Sequence, residues 1–134
     1  MRVNLRGKMS TFGGPRDTGV SPAEGLALVI TRAHFEQLEE YFLDQQPPGT
    51  TGLARRLNPE TFYIACRWDY HITPPDALRG LLVTVKNPVN NISAQAKPMD
   101  WGPNIRTHRV ADLSPGLAAY LGLETDDIVE VTLE

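Results

Sequence analysis

The segment from Thr61 to Trp68 has the clearest strand pattern in the chain, and it limits the folds that the rest can adopt. Its side chains fall into two alternating sets: Phe62, Ile64, Cys66 and Trp68, and between them Tyr63, Ala65 and Arg67. Because successive side chains of a β-strand point to opposite faces, this period of two predicts a strand. The fold must therefore contain a sheet that this segment joins.

Other short segments also have strand patterns. They are 9–12, Leu26–Ile30, Leu81–Val85, Ser93–Lys97 and Ile128–Leu133. Leu26–Ile30 is apolar throughout, which is typical of a strand buried on both faces, although Ser21-Pro22 before it also resembles a helix start. Turn-forming residues such as Gly13-Gly14-Pro15 and Asn87-Pro88 lie between the segments. In a chain of 134 residues without regular strand–helix alternation, this pattern predicts one all-β domain, 1–134, built as a small closed barrel.

Two helices interrupt the strands. Thr31 is placed to cap the first, in which Phe35, Leu38 and Phe42 share one face and which we expect to end near Asp44. A Pro-rich loop, 45–59, follows, so that about 32–59 is a helix-plus-loop insertion. Ser114-Pro115 begins a second, short helix that stops at Gly122, before the last strand.

Composition and charge exclude several functions. A net charge of −3 does not provide the basic surface that a nonspecific nucleic-acid binder needs. The single cysteine, Cys66, lies in an apolar stretch and predicts a buried thiol rather than redox chemistry. No apolar run has the length of a signal peptide or a membrane span. We expect no membrane span and a cytoplasmic chain as written, acting at a cell wall only if it is released or delivered by a phage.

Three segments, in this order, resemble double-psi β-barrel proteins. Ser10-Thr11-Phe12-Gly13-Gly14, followed by Asp17, resembles the first strand of expansins. Asp100-Trp101-Gly102-Pro103 is similar to an Asp-Arg-Gly-Pro motif of rare lipoprotein A, with Trp101 in place of the arginine. Val110–Ser114 is similar to an Ile-Asp-Leu-Ser segment of the same protein family, which is related to expansins and family 45 endoglucanases.

The resemblance implies a six-stranded double-psi β-barrel that acts on polysaccharide. In rare lipoprotein A the aspartate corresponding to Asp100 is tied to lytic transglycosylase activity. In expansins and the endoglucanases the aspartate corresponding to Asp112 is the second polar residue of the groove. Thr31-Arg32-Ala33-His34 resembles a Thr-Ala-Ala-His segment of the family, which makes His34 a third candidate.

Glycosidic cleavage needs a carboxylic acid to protonate the leaving oxygen, and hydrolysis needs a second carboxylate. We therefore interpret Asp100 as the general acid/base, with Asp112 and His34 as supporting catalytic groups. Each residue also has a structural interpretation. Asp100 is typical of a turn that binds its own backbone, Asp112 of a helix cap, and His34 of an exposed helix face.

Further residues are candidates for binding sugar. They are Trp101, Thr11, Asp17, Asn104 and Tyr70. Aromatic side chains more often fill cores, and the alternating pattern predicts that Trp68 does so, whereas we expect Trp101 to be exposed. His34, His71 and His108 lack the spacing of a zinc site, so we predict no metal and no cofactor.

The sequence thus predicts a monomeric enzyme of the rare lipoprotein A type, a lytic transglycosylase or glycoside hydrolase whose partner is peptidoglycan or another polysaccharide. Two alternatives stay open. One is a noncatalytic module that binds or loosens polysaccharide as expansins do. The other is a cytoplasmic protein-interaction barrel, since one fold serves many functions.

Overall fold

The computed structural model describes residues 3–13, 26–46 and 56–133. Its six strands are β1 (Val3–Thr11), β2 (Tyr63–Cys66), β3 (Val83–Lys86), β4 (Ser93–Trp101), β5 (Arg109–Leu113) and β6 (Ile128–Leu133). Its helices are α1 (Arg32–Gln37), α2 (Pro75–Arg79) and α3 (Pro115–Leu121), with 3-10 turns at Glu39–Tyr41 and Ile105–Thr107.

The strands close into one mixed barrel in the order β1-β5-β2-β4-β3-β6. Two pairs, β1/β5 and β2/β4, are parallel. The other four pairs are antiparallel. Closure pairs every strand on both sides, so the sheet has no exposed edge. This confirms the predicted small closed all-β barrel.

The alternation of β2 separates two apolar cores. Ile64 and Cys66 point into the barrel, where they pack with alternate residues of the neighbouring strands such as Met9 and Leu113. Tyr63 points outward and packs with a second cluster, here called the outer cluster. Trp68 joins the barrel core and is 5% exposed, as the alternating pattern predicted.

The outer cluster fastens the described part of the insertion to the outside of the barrel. Its buried members are Val29, Leu38, Phe42, Leu57, Tyr63 and Met99. Tyr63 and Met99 belong to β2 and β4, whereas the other four lie between residues 26 and 57. Burial of these side chains is the driving force that holds the insertion against the sheet.

Leu26–Ile30 is not a strand, which corrects the prediction. It makes only an isolated bridge between Leu26 and Val29, and Ile30 is 63% exposed. The N–H of Leu28 donates to the main-chain oxygen of Met99 at 3.3 Å, but the next N–H groups turn away from the strand. The apolar run reflects burial of Leu28 and Val29 in two different cores, not strand pairing.

The helices agree with the predictions except in length. Thr31 accepts a hydrogen bond from the N–H of His34 and caps α1, but α1 ends at Gln37 and continues as a 3-10 turn rather than reaching Asp44. Ser114 caps α3, and Gly122 ends it with a left-handed φ of 71°. Helix α2 and the extension of β4 to Trp101 were not predicted. No helix in the described ranges is both long and apolar enough to cross a membrane.

Candidate functional site

A row of four residues crosses the outer face of the barrel, one on each of four neighbouring strands. Ser10 of β1 is level with Asp112 of β5. Asp112 is level with Ala65 of β2, and Ala65 with Asp100 of β4. Residues that are level across strands point to the same face of a sheet. We call Ser10, Asp112, Ala65 and Asp100 the acid row.

Ser10, Ala65 and Asp112 face outward because they alternate with residues of the barrel core, such as Cys66 and Ala111. Asp100 follows Met99 of the outer cluster at an irregularity in the β2/β4 register, and its pairing with Ala65 places it in the row. Neighbouring strands lie about 4.8 Å apart, so the Cα atoms of Asp100 and Asp112, two strands apart, are separated by about 10 Å. The residue between them, Ala65, has a side chain too short to stand between the two carboxyl groups. Two acidic groups thus share one face with a small residue between them.

Asp100 is held by main-chain donors. Its Oδ1 accepts hydrogen bonds from the N–H of Ala27 at 2.8 Å and from the N–H of Trp101 at 2.9 Å. The second contact is the local turn contact that the structural interpretation predicts, whereas the first joins the segment 26–30 to β4. The carboxylate is therefore fixed in orientation at the exit of its strand.

Asp112 lies in β5 and is half-buried. The cap of α3 is Ser114, whose hydroxyl accepts from the N–H of Leu117 at 3.2 Å, so the helix start is satisfied by another residue. The charge of Asp112 acts on its surroundings. The pKa of the Arg109 guanidinium is raised mainly by its hydrogen bond with Asp126, and the negative charge of Asp112 adds to the rise.

Arg67 connects the segments that carry the two acids. Its Nη1 donates to the main-chain oxygen of Pro103 at 2.7 Å and to that of Arg109 at 2.6 Å. Pro103 comes three residues after Asp100, and Arg109 three residues before Asp112. One guanidinium therefore holds the exit of β4 beside the start of β5, which sets the relative positions of the two acids.

Cys66 lies next to the acid row but inside the barrel. It is fully buried, and burial raises the pKa of its thiol, with Asp112 adding to the rise and Arg67 opposing it. Since the thiolate is the reactive form, a raised pKa and burial both suppress modification. We expect the thiol of native protein not to react with Ellman's reagent at pH 8. After unfolding in guanidinium, we expect one thiol per chain to react. Stoichiometric labelling of the native protein within minutes would contradict the buried position.

Two partly exposed aromatic residues, Tyr70 and Trp101, are candidates for contacts near the exit of β4. Trp101 is 46% exposed, and Tyr70 is 37% exposed. Burial is the main cause that raises the pKa of Tyr70, and the Asp100 carboxylate adds to it while Arg79 opposes it. Tyr70 thus lies within electrostatic reach of the Asp100 carboxylate. Trp101 is level with Cys66 and alternates with Asp100, so it points to the other face of the sheet.

Tyr70 provides a direct probe of the Asp100 charge. Replacing Asp100 with asparagine removes a negative charge that disfavours the tyrosinate, so we expect the pKa of Tyr70 to fall toward its ordinary value. The fall in the pKa of Tyr70 is expected to be partial, because the burial of Tyr70 still raises it. An NMR titration of the ζ-carbon resonances of the tyrosines measures the change, with D127N as a control. An unchanged pKa of Tyr70 would show that the two groups do not interact.

The remaining candidates lie in different settings. His34 lies on α1, is half-buried, and its Nδ1 accepts from the N–H of Ile30 at 3.3 Å. Asn104 uses its side-chain oxygen to bind the N–H of Arg106 at 2.9 Å. Thr11 ends β1 and is exposed, but it alternates with Ser10 and so points to the other face. Asp17 and the middle of the 45–59 loop lie outside the described residues.

Two residues of this region were missed by sequence reasoning. Ser10 enters the acid row only through the parallel register of β1 and β5, which has no local signal in one sequence. Arg67 stood in the alternating pattern of 61–68 on the same side as Ala65. A charged residue on the face that carries Ala65 was the available signal for a role beside the acids.

In the described parts of the chain, no three His, Cys, Asp or Glu side chains come together as a metal site. No protein-family model matches the chain. No curated protein is significantly similar to it in sequence.

Proposed function

We propose that this protein is a double-psi β-barrel of the rare lipoprotein A type that cleaves a polysaccharide, with peptidoglycan glycan strands as the substrate. The acid row is the observation that carries the proposal. It puts two carboxyl groups on one outer face, and the partly exposed Tyr70 lies within electrostatic reach of one of them. Carboxyl pairs and aromatic platforms are the chemistry that glycan cleavage and sugar binding require.

The strand order supports the double-psi assignment. The two parallel pairs, β1/β5 and β2/β4, each join strands that are not consecutive in the chain. Parallel neighbours need crossover connections rather than tight hairpins. Two such crossovers in a six-stranded closed barrel are what a double-psi topology requires.

In this proposal Asp100 donates a proton to the glycosidic oxygen as the bond to the anomeric carbon breaks. In a lytic transglycosylase a hydroxyl of the same sugar then attacks that carbon and returns its proton to Asp100. No water is consumed, and the product carries an anhydro sugar. In a hydrolase the nucleophile is water, and Asp112 takes its proton.

Digestion of purified peptidoglycan sacculi tests the proposal. We expect soluble fragments, with anhydromuropeptides as the product of a transglycosylase and new reducing ends as the product of a hydrolase. Mass spectrometry of the supernatant separates the two. If no fragments are released while the protein still pellets with sacculi, the catalytic proposal fails and a binding function remains.

One observation favours that second function, a noncatalytic polysaccharide-binding module. Oδ1 of Asp100 already accepts two main-chain N–H groups. Such donors stabilise a charged carboxylate and suit it to anchoring the segment 26–30. A binder requires only the fixed aromatic faces and polar groups of the outer face. Pelleting with sacculi, without any release of fragments, is its expected signature.

A further inference from the structure

Trp68 and Trp101 are joined by reciprocal hydrogen bonds. The indole Nε1 of Trp68 donates to the main-chain oxygen of Asp100 at 2.8 Å. The indole Nε1 of Trp101 donates to the main-chain oxygen of Trp68 at 3.0 Å. Each indole therefore binds the backbone of the other residue or of its direct neighbour. The two side chains form one closed hydrogen-bonded unit beside the acid row.

The members of this unit differ in their surroundings. Trp68 is 5% exposed and belongs to the barrel core, whereas Trp101 is 46% exposed. The N–H of Gly102 also donates to the main-chain oxygen of Cys66 at 3.1 Å. The segment that carries Asp100 and Trp101 is thus bound to the exit of β2 by main-chain and side-chain contacts.

An exposed tryptophan usually keeps its N–H in water and moves between rotamers. Here the N–H of Trp101 is bound to a main-chain oxygen whose own residue is anchored in the core. The contact fixes the ring plane while much of the ring surface stays open. Fixing a ring before binding removes the entropy cost of ordering it, which is how a rigid platform gains affinity.

We propose that Trp68 is a positioning residue that holds the Trp101 ring as a rigid stacking surface for a pyranose ring at the exit of β4. This inference rests on the proposed polysaccharide function. The apolar C–H face of a pyranose matches the flat face of an indole. The Trp68 indole binds the main-chain oxygen of Asp100 and so ties the end of β4, which carries Trp101, to the barrel core. The ligand is therefore a sugar ring packed flat on Trp101.

The unmodified protein tests the hydrogen bonds directly. The chain has 2 tryptophans, so a ¹⁵N-labelled sample gives two indole N–H resonances. We expect both to exchange slowly with solvent and to show heteronuclear NOE values like those of the ordered backbone. A Trp101 indole N–H that exchanges as fast as free indole would overturn the inference, whether or not the protein binds glycan.

Trp68→Phe tests the positioning role. It removes the donor to the Asp100 oxygen but keeps an aromatic ring in the core and the main-chain oxygen that Trp101 binds. We expect about fivefold weaker binding to sacculi, the effect of one hydrogen bond. Faster exchange of the remaining indole N–H, that of Trp101, is expected in the same variant. Trp101→Ala, which removes the platform itself, is expected to weaken binding by more than this variant does.

Tyr120→Ala is the matched control. Tyr120 is an exposed aromatic residue, 56% exposed, that packs on Phe62 at the other end of β2. Its removal is expected to leave binding unchanged. If wild-type protein does not bind glycan at all, the proposed function fails, while the NMR result still decides the hydrogen bonds. If wild-type protein binds and folded Trp68→Phe binds equally well, the positioning role fails and the proposed function stands.

Discussion

Replacing Asp100 with asparagine is expected to lower the rate of glycan cleavage by about 100- to 10,000-fold, the usual contribution of a general acid/base. The amide cannot donate a carboxylic proton to the leaving oxygen. Its oxygen can still accept from the N–H groups of Ala27 and Trp101, which the wild-type Oδ1 binds. We therefore expect the variant to fold, and release of soluble fragments from sacculi measures the loss.

The companion variant Asp112→Asn separates the two reaction types. A hydrolase needs a second carboxylate, and in that case we expect a loss comparable to that of D100N. A transglycosylase uses the hydroxyl of the substrate, and we then expect a loss of less than about tenfold, since only one acid/base is essential. The products released by the wild-type protein, anhydromuropeptides or new reducing ends, identify which of the two reactions occurs.

Asp127→Asn is the matched control for both variants. Asp127 is exposed, and its Oδ2 accepts from the N–H of Glu124 at 2.8 Å. It is thus another aspartate bound to main chain, but it is not a member of the acid row. It lies before β6, where its main-chain oxygen accepts from the N–H of Met9. We expect D127N to keep wild-type activity. Folded D100N that retains more than about a third of an established wild-type activity would remove Asp100 from the acid/base role.

The parts of the fold that sequence reasoning predicted are those with strong local signals. The alternation of 61–68 identified β2, and Ser114-Pro115 with Gly122 identified α3. The prediction of a strand at Leu26–Ile30 was wrong, because an apolar run indicates burial and does not by itself indicate strand pairing. The N–H groups of this segment bind Asp100 and Met99, and these partners lie about 70 residues away along the chain.

In the candidate site, too, features with a local sequence signal were predicted and features that depend on strand register were not. The alternating pattern predicted that Trp68 is buried, and Trp101 was separately expected to be exposed; both are confirmed. That Asp100 and Asp112 are level across Ala65 depends on the register of three strands. A one-residue slip of a strand moves a side chain to the other face, and one sequence has no signal for parallel register. Whether the two aspartates are catalytic stays a prediction for the cleavage experiments.

Gly13→Ala is expected to destabilise the fold by about 2 to 4 kcal/mol. Gly13 has a φ of +89°, a conformation that costs a non-glycine residue about 1 to 2 kcal/mol. An added Cβ would also collide with the hydroxyl of Tyr63. That buried hydroxyl donates to the main-chain oxygen of Phe12 at 2.8 Å, and losing this bond costs about 1 kcal/mol more. Guanidinium denaturation measures the difference.

A double-mutant cycle with Tyr63→Phe separates strain from collision. Without the hydroxyl, Gly13→Ala loses the closest contact and keeps the cost of its φ and a tight approach to the Tyr63 ring at 3.0 Å. Its effect is therefore expected to fall by about 1 kcal/mol. Gly80→Ala is the control, because Gly80 has a φ of −93° and an added Cβ there lies 3.7 Å from the nearest atom. Its substitution is expected to change stability by less than about 0.5 kcal/mol. Strictly additive effects of G13A and Y63F would mean that the Tyr63 hydroxyl does not approach Gly13 in solution.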